Sequence, residues 1–340
     1  MSLTEKLSSY PELQQLYNSQ IHLPDYGAFA AQWESSLYSP IRFVLSNFLS
    51  SHALAGTHSL LYCAPGPHAP LLRYRGTGSL VAQFQRITLV DIDLNALRLA
   101  EQNLSVLQDR VNLDALAFDV TGPFGQRLCD LYRHTLEAST TVGEIAQRLA
   151  DDSLLASSVF ADVEQVLTEL TGRLDILVAH RRYSCCVSEM VASFTGSVPW
   201  LAFRSSLYKR FSSTASLEKL DACLAAATKV WQRYNENFLS FHFTLLREMT
   251  TRDGFVVLVF DTSKVFTGGR STLTELKRIN SFGSQQIIRK LLADRGDKIM
   301  QHKMLSWIDH LEGFDVKLYG IPISDFQRHT HDVQMYVVGE

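Results

Sequence analysis

The 340 residues carry a formal charge of −3 with 46% hydrophobic side chains. That length can bury a large core and favours one elaborated α/β domain over two equal ones. The near-balanced charge argues against the broad basic footprint of a nucleic-acid binder. Five cysteines, odd in number and without C-x-x-C spacing, indicate neither a disulfide framework nor a structural zinc site and suit a reducing cytoplasm. No segment has the apolar length of a signal peptide near Met1, or the roughly 18 residues of a membrane span. A soluble, cytoplasmic protein without a membrane partner is therefore expected.

Residues 1–55 read as a helical segment, with helices over 11–17, 26–33 and 41–54 separated by Pro24 and Pro40. It is rich in aromatics, among them Tyr17, Tyr26 and Tyr38. Residues 60–63 form an apolar run that the prolines and glycine of Ala64-Pro65-Gly66-Pro67 cannot continue, so a strand is expected to end in a turn there. A second strand over 87–91 ends on the carboxylate of Asp91. In a parallel sheet the carboxyl ends of neighbouring strands form a crevice for ligands, and an acid at the end of the second strand can accept hydrogen bonds from a ribose. The helix after it, over 94–107, sets Leu94, Leu97, Leu104 and Leu107 on one stripe, with Asp93 as its N-cap.

About fifty residues follow Asp119 before the next strand expected, over 174–178, and their apolar spacing predicts a helical insertion over about 121–171. Leu217, Leu220, Leu224, Ala227, Trp231, Tyr234, Phe238, Phe241 and Leu245 recur in steps of three and four, which predicts an extended helix over about 215–250. Its seam packs either on the N-terminal helices and the insertion or on a second copy of the chain, as a homodimer. Its aromatic end approaches the next strand, over 254–260, and is placed to line a pocket. Gly268 and Gly269 punctuate the loop after that strand, and helices over 284–292 and 298–311 precede two closing strands near 314–319 and 334–338.

The order of these blocks carries a resemblance. Val90-Asp-Ile-Asp-Leu-Asn-Ala-Leu-Arg-Leu-Ala-Glu-Gln-Asn-Leu104 resembles the acidic-strand motif of class I S-adenosylmethionine-dependent methyltransferases. Ala117-Phe-Asp119-Val120 is similar to that family's third-strand motif, and Leu174-Asp-Ile-Leu-Val178 to its fourth strand. The first motif departs from the family: Tyr62, Ala64, Gly66 and His68 stand where an acid and three glycines are usual. The resemblance implies a three-layer Rossmann-like α/β fold, with a mostly parallel seven-stranded sheet, antiparallel closing strands, and residues 1–55 as a lid on a domain over 56–340.

It further implies S-adenosyl-L-methionine as cofactor and transfer of its methyl group to oxygen or nitrogen of a small-molecule substrate. Asp91 would hold the ribose, Asp119 and Val120 the adenine, and the backbone around Ala64, Gly66 and His68 the methionine moiety, with Cys63, Ile92 and Ala179 as further cofactor contacts. Residues just after the fourth strand face the reactive methyl in this family. That expectation makes His180 the candidate base, since imidazole titrates near neutrality, and Arg181 and Arg182 a clamp for a carboxylate or phosphate. Tyr17, Tyr26 and Tyr38 are the substrate contacts expected from the lid. Two other readings remain: a methyltransferase-like fold without turnover that serves as a binding or scaffold partner, and a methyltransferase acting on a protein or RNA.

Overall fold

The computed structural model describes residues 58–66, 69, 71–72, 80–105, 111–151, 153–189, 191, 196–267, 298–303, 307–309 and 328–339, together with helical positions 42, 43, 45, 46 and 49. Tyr17, Tyr26, Tyr38 and His68, the strand near 314–319, the helix over 284–292 and the Gly268-Gly269 loop lie outside the described residues.

Five strands, β1 (His58–Cys63), β2 (Phe84–Asp91), β3 (Asn112–Ala117), β4 (Tyr183–Glu189) and β5 (Thr250–Thr267), form a parallel sheet in the order β3-β2-β1-β4-β5. Chain order reverses between β1 and β4, the position at which an open α/β sheet leaves a crevice beyond its carboxyl ends. β8 (Arg328–Gly339) runs antiparallel to β5, and β6 (Lys298–Lys303) and the short β7 (Trp307–Asp309) run antiparallel to β8. Strands therefore occupy residues for which the sequence predicts a helix over 298–311.

Both faces of the sheet are covered, as parallel strands require. Alternation along β1 sends Leu61 and Cys63 into one core and Leu60 and Tyr62 into the other. The Leu60 face packs on α1 (Leu94–Leu104), capped by Asp93 accepting from the amides of Asn95 and Ala96, and on Leu45 and Leu49. In α1 the buried stripe is Ala96, Leu97, Ala100 and Leu104, while Leu94 is 45% exposed.

The Leu61 face packs on the long helix and the insertion. α2 (Phe124–Glu137), α3 (Val142–Leu149) and α4 (Val163–Leu177) follow β3, and α5 (Ser197–Phe211) and α6 (Leu217–Glu248) follow β4. The 32 residues of α6 span about 48 Å. Because α6 turns at Met249 straight into β5, it runs antiparallel to that strand, and its first half stands beyond the carboxyl edge of the sheet. α2 runs alongside it: Phe124 meets Phe241 edge-on at 4.8 Å, and the Tyr132 hydroxyl donates to the Ala227 carbonyl at 2.9 Å. α3 and α5 also pack on α6. The seam of α6 is thus covered by the insertion and α5, which together form a helical cap on the Leu61 face of the sheet.

The fourth strand lies later than the sequence suggests. Residues 174–177 close α4, where Val166, Leu170 and Leu174 continue a helical stripe, and Ile176 and Leu177 are 71% and 50% exposed. Ala179 and His180 then reverse the chain with φ of 54° and 55°, the left-handed region. Only after that does β4 begin, so Cys185 and Cys186 are fully buried strand residues.

Candidate functional site

The turn after β1 and the end of β2 meet as the strand order demands. The Ala64 amide donates to the Val90 carbonyl at 2.8 Å, and Ala64 and Gly66 both take left-handed φ, 57° and 60°. A glycine adopts that conformation freely; alanine at position 64 adopts it at a cost in strain. The fold brings the Gly66 amide onto the Asp91 carboxylate, which also accepts from the Asp93 amide at 3.0 Å. Asp91 keeps some surface as a residue, yet its carboxyl is withdrawn from water. Burial pushes its pKa from 3.8 to about 6 against the lowering effect of these amides.

The third element joins them directly, because the Phe118 amide donates to the Asp91 carbonyl at 2.9 Å. Asp119, the next residue, accepts from the amide and hydroxyl of Thr121 at 2.8 and 2.6 Å. Burial raises it too, to about 6, with Thr121 and the charge of Arg173 opposing. Val120 is buried beside it. Cys63, Ala64, Gly66, Asp91, Ile92, Asp119 and Val120 thus gather at the carboxyl edge of β1, β2 and β3.

The residues expected after the fourth strand do not join them. Ala179, His180, Arg181 and Arg182 precede β4 and stand at its amino end, across the sheet from Asp91. Arg182 forms a two-pronged ion pair with Asp175, and the amide of exposed His180 donates to the Asp175 carbonyl at 2.6 Å. This group stitches α4 to β4. A base at His180 and an anion clamp at Arg181 and Arg182 are incompatible with a crevice at the carboxyl edge.

The carboxyl end of β4 holds groups the sequence reading passed over. Tyr62, standing where the resemblance expects an acid, donates a very short hydrogen bond to Glu189 across the β1–β4 boundary. An acid thus reaches the first-motif position from another strand. On the opposite face Ser188 Oγ lies 2.7 Å from His242 Nε2 of α6, both side chains buried. A correct placement of β4 would have exposed the Ser-Glu pair at its end as candidates. Burial drives the Cys63 and Cys186 thiols up, Cys186 to about 12, away from the thiolate a nucleophile needs. No group of three metal-binding side chains occurs among the described residues, and no described helix is long and apolar enough to cross a membrane.

Burial lowers the His242 pKa from 6.5 to about 3. The unfolded chain therefore binds the proton first, so the stability held above pH 6.5 is lost at about 1.4 kcal/mol per pH unit as pH falls toward 3. Asp91 and Asp119 act oppositely, since their raised values make the fold more stable as pH drops from 6 to 3.8. Comparing wild type with His242→Gln isolates the histidine: their stability difference should change by that slope between pH 6.5 and 4. A pH-independent difference would contradict the buried neutral imidazole.

No family model matches the sequence, and no curated protein matches it. Among solved structures, the chain is similar to an S-adenosylmethionine-dependent methyltransferase from Clostridium acetobutylicum, at 8% identity and a TM-score of 0.38, covering 92% of this chain and 98% of that one. It is also similar to the magnesium protoporphyrin IX methyltransferase of Synechocystis, at 7% identity and 0.37, covering 97% of both chains. An rRNA methylase from Streptococcus thermophilus gives 7% and 0.36, over 87% and 93%. Likenesses at this level carry no argument about the chain. Its Rossmann-like α/β class rests on its own strand order, helices and parallel register.

Proposed function

We propose that the chain binds S-adenosyl-L-methionine at the carboxyl edge of β1 to β3 and transfers its methyl group to oxygen or nitrogen of a small-molecule acceptor under the helical cap. The observation that carries this reading is Asp91, a buried carboxylate ending β2 that is clasped by the Gly66 amide of the neighbouring turn. A ribose diol supplies two hydroxyl donors to such a carboxylate and offsets its lost hydration. On this reading Asp119 and Val120 flank the adenine, and the turn bent by left-handed φ at Ala64 and Gly66 faces the methionine end.

When bound, the cofactor supplies an electrophilic methyl for in-line attack. The protein's share is alignment and exclusion of water, and the cap formed by α2, α3, α5 and α6 serves both. With His180 at the far edge, the reading assigns no base to it. The cytoplasm remains the expected compartment, and a near-neutral charge supports a small acceptor over RNA.

Titration calorimetry with S-adenosylmethionine and S-adenosylhomocysteine tests the reading. Micromolar binding of both is expected, and no heat at millimolar ligand would contradict it. A second reading, binding without turnover, draws on Ala64 and Pro65 in place of glycine-rich backbone. Heat with S-adenosylhomocysteine but no transfer of labelled methyl to any component of a metabolite extract would favour that second reading.

A further inference from the structure

We draw no further inference here: the strongest candidate, the groove between α2 and α5 lined by Tyr132, Arg133, Glu137, Phe203 and Arg210, carries nothing, because its aromatic floor is already buried, its rim bears charges of both signs, and nothing in the structure shows what covers it.

Discussion

Asp91→Asn is expected to make the protein more stable and a worse cofactor binder at once. Raising a carboxyl from 3.8 to about 6 corresponds to roughly 3 kcal/mol of cost for its charge above pH 6. Asparagine keeps an oxygen to accept from the Gly66 or Asp93 amide while removing that charge. A gain on the order of 1 to 3 kcal/mol at pH 7.5 should appear in denaturant unfolding, as a shift in midpoint at constant m. Two hydroxyl hydrogen bonds to a charged acceptor are lost at the same time, so affinity for S-adenosylhomocysteine should fall about 100-fold. Stability sacrificed at a binding residue is the usual mark of function. A variant that is less stable and binds equally well would show that Asp91 serves the fold alone.

Phe238→Ala should have the largest effect on stability. Phe238 is fully buried in α6, stacked between Tyr234 at 5.9 Å and His242 at 5.5 Å, with Phe241 at 6.2 Å. It lies where the sheet-covering and projecting parts of the helix join, so its cavity cannot collapse without shifting both. Truncation of a buried phenylalanine in such a site costs about 3 to 5 kcal/mol. Thermal and chemical unfolding would check it, and a loss under about 1 kcal/mol would mean that the cap and sheet are only loosely joined.

Much of this arrangement was readable from residue order. β1 and β2 are apolar runs stopped by a Pro-Gly turn and by an acid, and α6 declares itself through an uninterrupted three-four repeat. Asp91 ends a strand and Asp119 closely follows one, as their places in the sequence suggest. β4 was missed for a physical reason. Its sequence, Tyr-Ser-Cys-Cys-Val-Ser-Glu, mixes small polar residues into a fully buried strand, while the more apolar Ile176 and Leu177 are exposed at the end of a helix. That displacement carried His180, Arg181 and Arg182 to the wrong edge. α5 begins only at Ser197, and Pro199 sits in its first turn, where proline is tolerated. The Tyr62–Glu189 contact joins residues 127 apart, and no local pattern reveals such a pair.

The central claim is that an ionised Asp91 holds the cofactor's ribose. Its most direct test is the affinity for S-adenosylhomocysteine measured from pH 5 to pH 7.5 in wild type, Asp91→Asn and Asp119→Asn. With Asp91 titrating near 6 in the free protein, wild-type affinity should climb up to tenfold per pH unit below that value and level off above it. Asp119→Asn should keep that part of the rise that belongs to Asp91, and Asp91→Asn should lose it. A flat wild-type profile, or the same rise in Asp91→Asn, would contradict the account.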